Sequence, residues 1–227
     1  MSSREKILST LRAAPRPFAD MALAPESYLP MVPLEDLSPS TLVERFVVEA
    51  EKLAAVVHQT ASPSAAIETI LEILDGDQSI ISWDAETISL PNVMDTLAAA
   101  GVRIAEADDP SVRVGLSGAT AALAATGSLV LASDTGQYRN ASLLPPVHIA
   151  IVTTSQIMPD FESWIAEQRA NQLERFRRSS NIVLISGPSK TADIAMELIL
   201  GMHGPGELHV VLVEDNDFDF RIAMSSE

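Results

Sequence analysis

The chain has 227 residues, 47% of them hydrophobic and only 4% aromatic, and a net charge of −16 from 31 acidic and 15 basic residues. That length and apolar content suffice for one large domain with an aliphatic core. The acidity argues against nucleic acid or an anionic membrane surface as a main partner, because neutralising phosphates needs a clustered Lys/Arg surface. The local exception is Arg169, Arg175, Arg177 and Arg178, which read either as a docking patch or as the solvated end of a helix. With no cysteine, the chain can form no disulfide and can hold neither a thiolate-bound iron–sulfur cluster nor a Cys-based zinc site.

The opening Met1-Ser-Ser-Arg-Glu-Lys is polar rather than a secretory apolar segment. Residues 3–13 read as a short amphipathic helix. Residues 15–39 hold six of the 14 prolines, which marks an irregular arm. The expected organisation is therefore an N-terminal helix and Pro-rich arm over 1–40, followed by a single domain over 41–227. Ser38-Pro39 starts a helix whose apolar positions continue to Val57, and Ser62-Pro63 starts another that Asp75-Gly76 ends. Strand–helix alternation follows: strand 79–82, helix 91–100, strand 102–105, strand 112–116, a small-residue helix 119–125, strand 128–132 and strand 147–152. A long helix over 159–176, a buried strand 182–186, a helix 193–200 closed by Gly201, and a strand 207–213 complete the pattern. Such apolar runs separated by helices predict an α/β fold with a parallel or mixed sheet covered on both faces. The longest mostly apolar stretch, 119–132, is short and broken by Gly127, whereas a bilayer span needs about 20 residues. No membrane span and a cytoplasmic location are the expectation.

Nine of the ten glycines lie at or after Gly101, so backbone-built loops concentrate in the C-terminal half. In open α/β sheets ligands bind beyond the carboxyl ends of strands. Three loops stand out. Ser117-Gly118, continuing to Thr126-Gly127, is either an anion-binding helix start or a close-packed crossover. Gly187-Pro-Ser189-Lys190-Thr191-Ala-Asp193 is placed by the pattern at a helix N-terminus. Free amides, hydroxyls and an ammonium there would cradle phosphate or carboxylate, unless the loop is an ordinary capped helix. His203-Gly204, flanked by Gly201 and Gly206, makes His203 a candidate hydrogen-bond donor or acid/base group, and no other catalytic residue is assigned. His203 and His209 lack metal-pair spacing, so no metal site is expected. His148, opening a buried strand, reads as a core residue. Neither a G-x-S-x-G elbow nor a G-x-G-x-x-G fingerprint is present, which leaves a classical hydrolase and a dinucleotide enzyme unsupported.

In series, Thr126-Gly-Ser-Leu-Val-Leu, Ser142-Leu-Leu-Pro-Pro-Val-His-Ile-Ala, Ser186-Gly-Pro-Ser-Lys-Thr-Ala-Asp-Ile and Gly201-Met-His-Gly-Pro-Gly-Glu-Leu-His-Val resemble the signature of the LutC/YkgG (LUD domain) family. The resemblance implies a three-layer αβα fold with a mostly parallel sheet, like the NagB/RpiA/CoA-transferase superfamily, plus N-terminal helices. It also implies a part in oxidising L-lactate to pyruvate, with the iron–sulfur clusters carried only by partner proteins. On this reading the chain is an accessory or ligand-binding subunit. The alternative is a CoA-transferase- or isomerase-like enzyme or binder acting on a small anionic ligand, and a third reading is a scaffold that has lost its site. Two positions depart from the family pattern. Ala125 stands where an acidic residue is usual, which removes a carboxylate nucleophile, and Lys190 replaces the usual arginine, which weakens bidentate anion recognition.

Overall fold

The structure, a computed structural model, describes residues 2–14, 32–192 and 198–215. In chain order its elements begin with α1 (Ser3–Ala13), α2 (Pro39–Lys52), β1 (Val56–Thr60), α3 (Pro63–Leu74), β2 (Ser79–Ser82), α4 (Val93–Ala99), β3 (Arg103–Ile104) and β4 (Val114–Gly118). They continue with β5 (Ala121–Leu123), β6 (Ser128–Ser133), β7 (Val147–Thr153), β8 (Ile157–Met158), α5 (Phe161–Ala170), α6 (Glu174–Arg178), β9 (Asn181–Ile185), β10 (Lys190–Ala192), β11 (Leu198–Leu200) and β12 (Glu207–Val213).

The centre is a six-stranded sheet in the order β1-β12-β7-β4-β2-β3, parallel throughout. A parallel sheet must be covered on both faces. Helices α3 and α4 pack together on one face, with α3 against β12 and β1. The other face carries α2 and a second, four-stranded sheet in the order β8-β5-β6-β9, with α2 touching β6 and β8. The expected α/β class and three-layer-like arrangement hold, the second covering layer being part sheet. Phe46, Ile70, Ile81, Leu116, Leu129, Ile149 and Val211 lie in the single large core that joins these layers. A smaller cluster forms on the outer side of the second sheet, where Trp164 of α5 packs on Ala121, Leu123 and Val130. Among the described residues no helix is long and apolar enough to cross a membrane.

Local chemistry explains the element ends. Ser62 caps α3 by accepting from the Ala65 amide, with Pro63 in the first turn, and Asp75 ends it in the left-handed region. Arg113 ties that helix end to β4: its Nε donates to Asp77 at 2.6 Å and its Nη2 to the carbonyls of Ile73 and Leu74 at 3.0 and 3.1 Å. These are carbonyls that a helix leaves without internal partners. Helix α1 is closed by a Ser2/Glu5 capping box but has no buried residue, and Ile7 and Leu11 are exposed.

Four elements differ from the sequence reading. Helix α2 stops at Lys52, because Ala54 turns left-handed at φ 69°, and Val56–Thr60 leaves to pair with β12. The small-residue segment expected as a helix over 119–125 is strand β5, paired with both β6 and β8. Alanine is the best helix former, but propensity is a small bias that these pairings outweigh. The long helix of 159–176 is broken at Gln172 and Leu173, both left-handed, into α5 and α6. Finally, 190–192 and 198–200 form an antiparallel pair rather than flanking or ending a helix. Residues 15–31 of the proline-rich arm and Asp193 lie outside the described residues.

One close approach sets the packing on the inner face. A β-carbon on Gly115 would lie 1.8 Å from the Ala141 carbonyl oxygen. Gly115→Ala is therefore expected to destabilise the fold by about 3 kcal/mol, the upper end of overpacking costs, as measured by urea denaturation.

Candidate functional site

A cavity of about 230 Å³ lies beside the amino ends of β7 and β12. Three stretches wall it. Arg139, Ser142 and Leu143 come from the short 3-10 turn and residues that precede β7. Residues 183–189 come from the end of β9 and the turn after it, and His203, Gly204 and Pro205 come from the loop before β12. Backbone hydrogen bonds fasten these loops together: Ser189 donates to the Pro205 carbonyl at 2.8 Å, Gly201 to Ser189 at 2.9 Å, and Gly206 to Pro146 at 2.9 Å. Gly187, at φ +82°, sits so close to Leu53 that an added β-carbon would meet its carbonyl oxygen at 2.3 Å. Only glycine holds that turn against the end of α2 without strain.

His148, second in β7, also lines the cavity and is 1% exposed. Its Nε2 shares a 2.8 Å hydrogen bond with the Ser117 hydroxyl, which also reaches the Gly118 carbonyl at 2.9 Å. The register explains the meeting: Gly115 faces His148 across the β4–β7 pair, and Ser117 lies two residues along on the same side of the sheet. Burial pulls the His148 pKa down to about 3, so the imidazole is neutral at physiological pH. Charge stands instead at the exposed mouth, where Arg139 lines the cavity together with His203, and no carboxylate among the described residues does so.

The candidate residues divide. Gly187, Ser189, His203 and Gly204 line the cavity directly, and Ser117 reaches it through His148. Thr126 and Gly127 form the tip of the β5–β6 hairpin, where a β-carbon on Gly127 would lie 2.2 Å from the Ala50 nitrogen. They are joined to the cavity loop by the 2.7 Å hydrogen bond between Ser128 and Ser186. Lys190 points elsewhere: its Nζ donates to the Leu53 carbonyl at 2.9 Å. It thus caps the end of α2, where a cation is favoured. Thr191 pairs with Ile199 in β10, so these residues do not sit at a helix N-terminus. Gly118 ends β4 on the far side of the sheet from the cavity mouth. Arg139 and Ser142 escape the sequence reading because their only signal is a cation and a hydroxyl just ahead of the Leu143-Leu-Pro-Pro-Val-His148 run. His148 was legible as buried, but not as Ser117's partner.

With this geometry in place, comparison with known proteins is informative. The LUD domain family model matches residues 43–213. The chain belongs to the LUD domain family. A lactate utilization protein C from Shouchella clausii is 31% identical over 194 residues, covering 80% of this chain and 83% of that protein. The one from Macrococcus caseolyticus is 39% identical over 102 residues, covering 45% of this chain and 44% of that protein. Over that shorter match the LUD chain spans less than half the length of its curated relatives. Among solved structures, a DUF162 family protein from Deinococcus radiodurans has the same fold, with a TM-score of 0.58 at 20% identity, covering 78% of this chain and 99% of that one.

Protonating His148 opposes the fold. Its folded pKa is depressed, so its contribution is fully present above the ordinary value of 6.5 and is lost as pH falls toward about 3. His58 and His209 act with the same sign. They stack at 5.3 Å between ring centroids, and both are lowered, His58 by burial and then by repulsion from His209, and His209 by burial. Between pH 6 and 4, His148→Gln is expected to reduce the slope of unfolding free energy by about 1.4 kcal/mol per pH unit, one proton's worth. Urea titrations at several pH values measure this, and an unchanged slope would contradict it.

Proposed function

We propose that this LUD domain is the LutC-like subunit of an L-lactate-oxidising system, and that it binds a small organic anion in the cavity between Arg139, His148 and His203. The observation that carries this reading is the meeting of three distant stretches, 139–148, 186–189 and 203–205, around one cavity that no carboxylate of the described residues lines. A volume of about 230 Å³ is smaller than drug-sized ligand pockets, which run roughly 300–1,000 Å³, and so suits a compact acid. The guanidinium of Arg139 at the mouth supplies charge and a bidentate donor pair for a carboxylate. The neutral imidazole of His148, steadied by Ser117, offers an uncharged polar floor for a hydroxyl or keto oxygen. The chain has no cysteine, so electron transfer falls to iron–sulfur partner proteins. The relatives bearing the name lactate utilization protein C support this placement.

The test is a thermal-shift and calorimetric titration with L-lactate and pyruvate, since a ligand that binds only the native state raises stability. Binding is expected for the wild type. Arg139→Ala should weaken it by at least about tenfold, the loss of one charge-assisted contact. Lys190→Ala should leave affinity intact and cost about 0.5–1 kcal/mol of stability through the α2 terminus. Loss of binding in Lys190→Ala but not in Arg139→Ala would move the site away from this cavity. Failure of both acids to bind would overturn the ligand assignment. Co-purification from the native host with a cysteine-rich iron–sulfur protein tests the assignment to the system.

A further inference from the structure

We propose that His148 is held in one tautomer that makes the cavity selective for a hydrogen-bond donor, so that the site takes 2-hydroxy acids such as L-lactate and turns away the corresponding 2-oxo acids. This inference rests on the organic-anion reading above and narrows it.

The tautomer follows from the network around the ring. Ser117 has one hydroxyl proton and two neighbours, the Gly118 carbonyl at 2.9 Å and His148 Nε2 at 2.8 Å. A carbonyl oxygen only accepts, so the proton goes to Gly118 and the Ser117 oxygen is left to accept from His148. Both contacts are made only when Nε2 carries the imidazole proton. If the hydroxyl donated to a bare Nε2 instead, two oxygens would stand 2.9 Å apart with no proton between them, in a core where Ser117 is fully buried. Burial keeps the ring neutral, so it has no second proton to place on Nδ1. Nδ1 is therefore a bare acceptor.

That nitrogen is the one a ligand meets. Nδ1 has no hydrogen-bond partner among the described residues. The polar side-chain atoms sealed without a partner are Arg45 Nε, Thr120 Oγ1 and Ser179 Oγ, and Nδ1 is not one of them. An atom neither paired nor sealed, in a buried ring that lines the cavity, opens on the cavity. A hydroxyl at the second carbon of an acid donates to it. A keto oxygen brings only lone pairs, which face the lone pair of Nδ1. The neighbouring groups do not discriminate in this way. The hydroxyls of Ser142, Ser186 and Ser189 rotate to suit either oxygen, and Arg139 serves the carboxylate that both acids share. A cavity so built holds the reduced member of a hydroxy/oxo pair and releases the oxidised one.

The molecule has a second, larger cavity of about 1290 Å³ at the carboxyl ends of the strands, but it does not compete for these acids. Glu86, Asp95, Glu167 and Asp215 border it against Arg175, so a carboxylate is disfavoured there.

Two measurements on the full chain test the proposal. Nitrogen NMR of the imidazoles, with the His148 signals identified by their loss in His148→Asn, should find the proton on Nε2 and Nδ1 bare. Calorimetric titration should find L-lactate bound at least about tenfold more tightly than pyruvate, the penalty of one unmatched acceptor. Ser117→Ala frees the ring to change tautomer and should bring the two affinities together by strengthening pyruvate binding, whereas a merely structural role for Ser117 would weaken both acids alike. His148→Asn, whose amide can turn to donate or accept, should also lose the preference and decides the matter if Ser117→Ala fails to fold. Equal affinities in the wild type, or a proton on Nδ1, would overturn the inference and leave the anion reading standing. Binding of neither acid would overturn that reading and this inference with it.

Discussion

The close contact between Gly115 and Ala141 organises the inner face of the central sheet. Because position 115 lacks a β-carbon, the backbone of the Arg139–Ser142 turn lies directly on β4. That turn delivers the chain into β7 and carries Arg139 and Ser142 to the cavity wall. On the same side of the sheet, Ser117 and His148 meet within the core rather than at the surface. Ala141 and Ala150 are fully buried in the same core. A larger side chain at 115 would lift the turn and, with it, the positive side of the site.

Much of this architecture was legible in the residues. Parallel strands buried on both faces must be apolar throughout, and Val147–Val152 and Leu208–Val213 read that way. Ser62-Pro63 and Asp75-Gly76 bracket α3 with chemistry that acts within one turn, so local sequence suffices. Other boundaries depend on distant partners. Ala121–Leu123 is composed like a helix but is held extended by β6 on one side and β8 on the other. Ala54, Gln172 and Leu173 adopt left-handed conformations without the glycine or asparagine that would announce them. In the site, glycines marked the turns at 187 and 204, whereas the Ser117–His148 pair arises from strand register across 31 positions of chain. Lys190 shows the opposite limit: its motif suggested anion binding, but the helix end it caps belongs to a segment 137 positions away.

The two cavities differ in kind as well as place. One is small, walled by hydroxyls and imidazoles, and bordered by a guanidinium. The other is large, partly apolar and ringed by carboxylates. A chain of net charge −16 gains little long-range attraction for an anion, so the first cavity must act through contact. The lack of acidic side chains among the described residues that line it is the feature that allows this.

The strand order also bears on how the molecule is made. β12, the last strand of the described residues, lies in the interior of the central sheet, between β1 and β7. During synthesis, β1 must wait until Val213 has left the ribosome before it gains its neighbour. Until then the sheet is split, with two unpaired edges facing each other across the gap. Folding must therefore close a loop of nearly the whole domain late, the kind of non-local step that slows a chain. Any nascent form halted before residue 207 carries those open edges as a risk of aggregation.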